Sequence, residues 1–342
     1  MNKKNIHLPA EWHPQSAVQL TWLHAETDWR EILDEVTPCF VEIAKAICVL
    51  QKLVIVCPNS AAIIPLFDNE SLRNITFSEM PTNDTWARDH GAISVFEGEV
   101  PYLYDFTFNG WGMKFAANLD NQINRKLFES NVFHKEVQYR NYKHFILEGG
   151  SIESDGKGTI LTSSECLLSE NRNNKTRKEV EDFLIETFGL KRILWIENGY
   201  LEGDDTDSHI DTLARFCNET TIAYIKCDDQ SDVHFAELAK MEAQLKSFRT
   251  LSGEPYTLIA LPMADEVMCD GERLPATYAN FLIINGAVLL PTYQTPKDEI
   301  AKRQLKIAFP DRQIIGINCL PLIKQHGSLH CVTMQFPAGF VN

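Results

Sequence analysis

Gly150-Ser151-Ile152-Glu153-Ser154 runs into Asp155-Gly156-Lys157-Gly158 and out again through Thr159-Ile160-Leu161-Thr162. Short apolar runs on either side of an Asp-Gly turn predict a β-hairpin, because Asp and Gly both tolerate positive φ. The same unit recurs along the chain. His90 to Phe96 turns at Glu97-Gly98-Glu99, Ile210 to Cys217 turns at Asn218-Glu219, and Phe281 to Ile284 turns at Asn285-Gly286. A fifth unit is expected to start near Leu329-His330-Cys331.

A polar residue heads each unit: Asp89, Glu148, His209, Asn280 and Cys331. They stand roughly 60 residues apart, which suggests an internal repeat. If the units close around an axis, each delivers one polar side chain to a central mouth. The plainer alternative is a set of ordinary hairpins in a mixed sheet. Helical spacing links the units. Thr27 to Leu50 places Trp29, Ile32, Leu33, Val36, Phe40, Ile43 and Ile47 on one face, and similar patterns cover 174–188, 233–248 and 297–309. Leu53 to Cys57 reads as a buried strand closed by Pro58. No Pro/Gly/Ser-rich linker divides the chain, so residues 1–342 are read as one α/β domain.

Bulk properties narrow the function. A net charge of -15 argues against nucleic acid as the main partner and suits a cationic ligand. No apolar run reaches membrane-spanning length, and Met1 to His7 lacks a following apolar stretch, so no membrane and no signal peptide are expected. Nine scattered cysteines without a Cys-x-x-Cys pair read as reduced thiols in a cytoplasm.

Cys331, His209 and the acids at 89, 148 and 211 are the parts of a covalent catalyst. In a strand, His209 and Asp211 point to the same face, so both would face one pocket with Ile210 behind. His330 and Cys331, as strand neighbours, would face opposite sides, which makes His209 the better base. Each residue also has a bland reading. His209 fits a half-buried sheet, Cys331 an inert buried thiol, Asp89 a turn cap or partner of Arg88, and Glu148 an exposed loop. The joint pattern, one such residue per unit, favours the catalyst. Asp204-Asp205-Thr206-Asp207-Ser208 is a solvated loop, an attractor for a cation, or a hard-metal site; no EF-hand spacing supports the last. Of the three, metal binding is the least favoured.

Several segments together resemble the agmatine deiminase family of the guanidino-group modifying (pentein) superfamily. They are Leu8-Pro9-Ala10-Glu11-Trp12-His13-Pro14, Trp86-Ala87-Arg88-Asp89-His90-Gly91, Phe108-Asn109-Gly110-Trp111-Gly112, Leu147 to Ser151, Asp204 to Asp211, and His330-Cys331-Val332-Thr333. The resemblance runs nearly end to end. It implies a five-bladed α/β propeller of ββαβ units. It also implies hydrolysis of agmatine, a small cationic guanidino substrate, to N-carbamoylputrescine and ammonia, without a metal or organic cofactor. By the same resemblance Cys331 would be the nucleophile, His209 the acid/base, and Asp89, Asp211 and Glu148 the active-site carboxylates. Trp86 would wall the substrate site, with Asp89 and Asp211 binding the guanidinium and Asp204 and Asp205 drawing in the distal ammonium. Two departures stand out: Gln325-His326-Gly327-Ser328 replaces a Gly-rich run, and Thr333-Met334-Gln335 replaces a Thr-Gln-Gln type ending. They bear on the pocket wall and on substrate choice more than on the reaction. Deiminases of arginine or peptidyl-arginine, an amidinotransferase and a non-catalytic binding protein on the same fold remain alternatives. A homo-oligomer is compatible with the sequence.

Overall fold

The computed structural model describes residues 5–342 as a mixed α/β structure with six sheets. Five of these share one connectivity: an antiparallel strand pair, a helix, then a third strand parallel to the second. A parallel neighbour cannot be reached by a tight turn, so each unit needs its crossover helix.

In the second hairpin of the chain, Ile152–Ser154 pairs with Thr159–Ser163. Helix Arg177–Phe188 then returns the chain to Arg192–Ile196, parallel to Thr159–Ser163. The turn forms as its sequence requires: Asp155 Oδ1 accepts from the amides of Lys157 at 2.7 Å and Thr159 at 2.8 Å, and Gly156 has φ +67°. The helix begins at a reciprocal cap between Thr176 and Glu179 and ends at Gly189 in the left-handed region. That sharp start explains why the helix opens at Arg177 and not at Asn174.

The other units follow suit. Ile93–Glu97, Val100–Thr107 and Gln138–Ile146 form one sheet, extended by Ile6–His7. Ala214–Asn218, Thr221–Lys226 and Thr257–Pro262 form another, with helix Phe235–Ser247 as crossover. Leu282–Ile284, Ala287–Thr292 and Gln313–Asn318 form a third, bridged by Lys297–Ala308. The remaining unit is made from both ends of the chain. Thr333–Pro337 pairs antiparallel with Gln15–Thr21, and helix Leu33–Cys48 leads on to Lys52–Cys57. Val36, Phe40, Ile43 and Ile47 of that helix are fully buried, as their three- and four-residue spacing requires.

Three strand boundaries differ from expectation, and the difference matters for the site. Ala87–His90 is a single helical turn, so the strand begins at Ile93. Ile210–Thr212 is a 3-10 turn, so the strand begins at Ala214 and His209 and Asp211 do not share a strand face. Leu329 to Cys331 lie ahead of the strand that starts at Thr333. The polar residue of each unit therefore sits just before the hairpin. A turn can aim its side chains in directions that a pleated strand forbids. Among the described residues no helix is long and apolar enough to cross a membrane.

Candidate active site

Cys331 is 5 % exposed and lines a pocket with Trp86, Asp89, Trp111, Phe115, Asp205 and Gly327. Its Sγ faces Asn280 Oδ1 at 3.5 Å, and the same oxygen accepts from the His330 amide at 2.8 Å. Asn280, the head of the fourth unit, thus pins the turn that carries Cys331. Burial, then the charges of Asp211 and Asp89, push the Cys331 thiol well above its ordinary range.

Asp89 belongs to the one-turn helix Ala87–His90. Its Oδ1 accepts from the Gly150 amide at 3.0 Å and its Oδ2 from Trp111 Nε1 at 2.9 Å. Burial raises this carboxyl to about 6, with His209 opposing and Asp211 and Glu148 adding to the rise. His209 is fully buried. Its Nδ1 stands 3.6 Å from Asp89 Oδ1 and its Nε2 3.6 Å from Glu148 Oε2. Neither nitrogen has a hydrogen-bond partner. Burial opposes charge on the ring, but Asp89, Cys166 and Glu148, in that order, outweigh it and hold the imidazole well above its usual range.

Gly149 and Gly150 make this convergence possible. A methyl group on Gly150 would lie 2.6 Å from His209 Nδ1, 2.8 Å from Asp89 Oδ1 and 3.2 Å from Asp211 Oδ2. On Gly149 it would meet the Arg88 carbonyl oxygen at 2.1 Å. Only glycine lets the backbone pass here.

Asp211 and Glu148 are each backed by a base. Asp211 Oδ2 faces His330 Nδ1 at 2.7 Å, and His330 Nε2 faces Glu11 Oε2 at 2.6 Å. Asp211 Oδ1 is buried without a partner. Burial pulls the Asp211 carboxyl up, yet the His330 hydrogen bond outweighs it and holds it below the usual range. Glu148 accepts from Arg172 Nε at 3.1 and 2.9 Å. Its carboxyl too is held low against burial, by His209 and Arg172. His330 is thus turned away from the pocket, as expected, but as the support of Asp211.

The acidic run divides. Asp205 lines the pocket. Asp204 spends its oxygens on the run itself, accepting from Thr206 Oγ1 at 2.6 Å and the Ser208 amide at 2.7 Å. It shapes the loop and is not part of the pocket lining. Asp28 and Asp84 do line it, and neither carries a local motif that marks it. Trp111 was legible only as part of a quoted segment. Its φ of +53° turns the indole toward Asp89.

Two groups of buried donors have metal-like spacing. Glu148, Cys166 and His209 form one, with ligand atoms within 4.8 Å of one another, and Glu11, Glu153 and His330 the other. In the first, Arg172 already occupies both Glu148 oxygens and burial raises the Cys166 thiol. In the second, Arg215 binds Glu11 at 2.9 Å and also pairs with Glu153. A dication would have to displace a buried guanidinium in either case, so neither donor set fits one.

Cys331 and Asp89 line the pocket, while His209, Glu148 and Asp211 are buried close to Asp89 and are not among the lining residues; a thiol, an imidazole and several carboxylates are the parts of a covalent catalyst. The profile of the Porphyromonas-type peptidyl-arginine deiminase family matches residues 7–337, and the chain belongs to that family. A solved Porphyromonas gingivalis structure, provisionally named an arginine deiminase, is 51% identical with a TM-score of 0.96, covering 99% of this chain and 100% of that one. The C. jejuni agmatine deiminase, solved as a cysteine-to-serine variant with substrate bound, is 40% identical with a TM-score of 0.90, covering 97% and 96%. The agmatine deiminase of Ectopseudomonas mendocina is 32% identical over 97% of this chain and 96% of its own.

Proposed function

We propose that this chain is an agmatine deiminase, hydrolysing agmatine to N-carbamoylputrescine and ammonia through an amidino-cysteine intermediate. We take residues 1–342 as one catalytic domain whose five ββαβ units close around the site as a five-bladed propeller. The nine unpaired cysteines support work in a reducing cytoplasm.

One observation carries the choice of substrate. The described pocket lining holds Asp28, Asp84, Asp89 and Asp205 and no Lys or Arg. Arginine presents an α-carboxylate, which such a wall repels. Agmatine is cationic at both ends, which it attracts. The indoles of Trp86 and Trp111 flank the same space and suit a planar guanidinium. The full-length similarity to agmatine deiminases supports the same reading. Arginine is the second reading, favoured by the name given to the Porphyromonas gingivalis neighbour.

The reaction follows from the charges. Asp89 and Asp211 accept N–H bonds from the guanidinium and hold its carbon against Cys331 Sγ. The bound cation offsets the carboxylates that raise the thiol, so the Cys331 proton is released to solvent as substrate enters. The thiolate attacks the guanidinium carbon to give a tetrahedral adduct. His209, held in its protonated form, gives its proton to the departing nitrogen, and ammonia leaves. The now neutral His209 takes a proton from water, whose oxygen adds to the amidino carbon. Collapse expels the Cys331 thiolate, the adduct's hydroxyl proton passes to that sulfur or to solvent, and the neutral ureido product leaves with His209 protonated again. Glu148 holds the charge on His209 through both halves.

The test is ammonia release from agmatine, arginine, a peptidyl-arginine and a methylated arginine, with the ureido product identified. Agmatine is expected to be turned over at least about 100-fold faster than arginine, as differential recognition of one charged group allows. Equal or faster release from arginine would reverse the assignment.

A further inference from the structure

Arg172 takes no part in the steps above, yet it is among the most fully engaged side chains near them. It is buried and lies between the helices Ser164–Leu167 and Arg177–Phe188. Nε donates to Glu148 at 3.1 and 2.9 Å, Nη1 to Asp207 Oδ2 at 2.6 Å, and Nη2 to the Thr206 carbonyl at 2.9 Å. One planar fork is therefore shared between the carboxylate beside His209 and the turn that carries His209.

That turn is held in an unfavourable shape. Asp207 and Ser208 have φ of +62° and +63°, a region that L side chains rarely adopt. The neighbouring bonds come from within and from outside. Asp204 caps Thr206 and Ser208, and the His209 amide donates to Thr206 Oγ1 at 3.1 Å. Lys114, on the solvent side, reaches Asp207 Oδ1 at 2.9 Å and the Asp205 carbonyl at 2.7 Å. Arg172 hydrogen-bonds both the turn and Glu148, whereas the other link, His209 Nε2 to Glu148 Oε2, stands at 3.6 Å. Asp205 and Thr206 form pocket wall on the other side of the same few residues.

We propose that Arg172 is a positioning residue that locks the 204–209 turn and Glu148 into one unit, so that pocket wall and acid/base are set together. The proposal rests on the reading of His209 as the acid/base of the hydrolysis. Lysine cannot replace it fully, because an ammonium's donors all sit on one nitrogen and cannot span acceptors that Arg172 reaches from three. The groups facing Glu148 are Arg172, His209 and Cys166, with Asp89 further off. Loss of the guanidinium removes a charge that favours the Glu148 anion.

The experiment combines hydrogen exchange with agmatine kinetics on Arg172→Gln, Arg172→Lys, Asp207→Asn and Lys114→Met in the full chain. In Arg172→Gln, amides of 204–209 are expected to exchange at least about tenfold faster, while helix Lys297–Ala308 keeps wild-type rates. The value of kcat should fall more than KM rises. The acid limb of kcat/KM should steepen, because Glu148 loses a charge that favours its anion and its protonation adds to that of Asp89 and Asp84. Arg172→Lys should restore the limb but not the slow exchange. Asp207→Asn, which spares the Arg172–Glu148 contact but also loosens Lys114, should speed exchange in the turn more than Lys114→Met does, and that comparison decides the matter if Arg172→Gln fails to fold. Unchanged exchange in the turn, or a rise spread evenly over the chain, overturns the proposal. If the wild type releases no ammonia from agmatine, the assigned reaction falls while the exchange data still decide the lock.

Discussion

Gly327 lies against the indole of Trp86 so closely that a Cβ at position 327 would sit 2.1 Å from Cζ3 and 2.5 Å from Cη2. This glycine, in the turn that carries Cys331, therefore sets the position of the pocket's aromatic wall. Gly327→Ala must push the ring into the substrate space or the turn away from it. Overpacking of this kind costs about 1–3 kcal/mol, so KM for agmatine should rise about tenfold. Steady-state kinetics check this, and an unchanged KM would mean that the wall yields freely.

Asp89 and Asp84 are both raised to about 6 by burial. A cation binds their ionised forms, so kcat/KM for agmatine should fall as pH drops below about 6. The same shift has the opposite sign for folding. A carboxyl whose native pKa is raised binds its proton more tightly in the folded state, so these two groups add stability as pH falls from 6 toward the ordinary carboxylate range. Activity should therefore be lost while the circular dichroism spectrum remains native. Loss of structure in step with activity at pH 5.5 would contradict this.

Trp111 Nε1 donates to Asp89 Oδ2 and favours the anion. Trp111→Phe keeps an aromatic wall and removes that donor. The acid limb should move to higher pH, by less than about one unit for a single neutral hydrogen bond. A pH–rate profile of the variant measures it, and a limb that stayed in place would remove Asp89 as its source.

Cys331→Ala should abolish ammonia release and leave agmatine affinity within about threefold of wild type, because the guanidinium is held mainly by carboxylates. Calorimetric titration reads the affinity, and mass spectrometry of acid-quenched wild-type enzyme should find an amidino group on Cys331. Turnover above about 1 % of wild type in the variant would rule out the covalent route.

How much of this was legible beforehand can be seen at His209 and Asp211. The polar residue ahead of each hairpin was readable, because Asp-Gly and Asn-Gly turns mark the units and the spacing repeats. The local conformation was not. A strand was expected from Ile210, whereas the chain makes a 3-10 turn before Ala214. Short apolar runs do not distinguish a strand from a turn that buries the same residues. The supports were hidden for a different reason. Glu11, Arg172 and His330 act through contacts with residues 319, 24 and 119 positions away, and no local pattern announces such pairs. Asp28 and Asp84 reached the pocket equally unmarked, while Asp204, in the most conspicuous acidic run, serves the loop instead.

The sheet formed by Thr333–Pro337 and Gln15–Thr21 joins the two ends of the described chain. The sulfur sits two residues ahead of that seam. Synthesis runs from the amino end, so Gln15–Thr21 leaves the ribosome long before the strand that anchors the sulfur. The seam can close only once Thr333–Pro337 has emerged: until then a nascent chain holds His209, Asp89 and Glu148 without the Cys331 thiol.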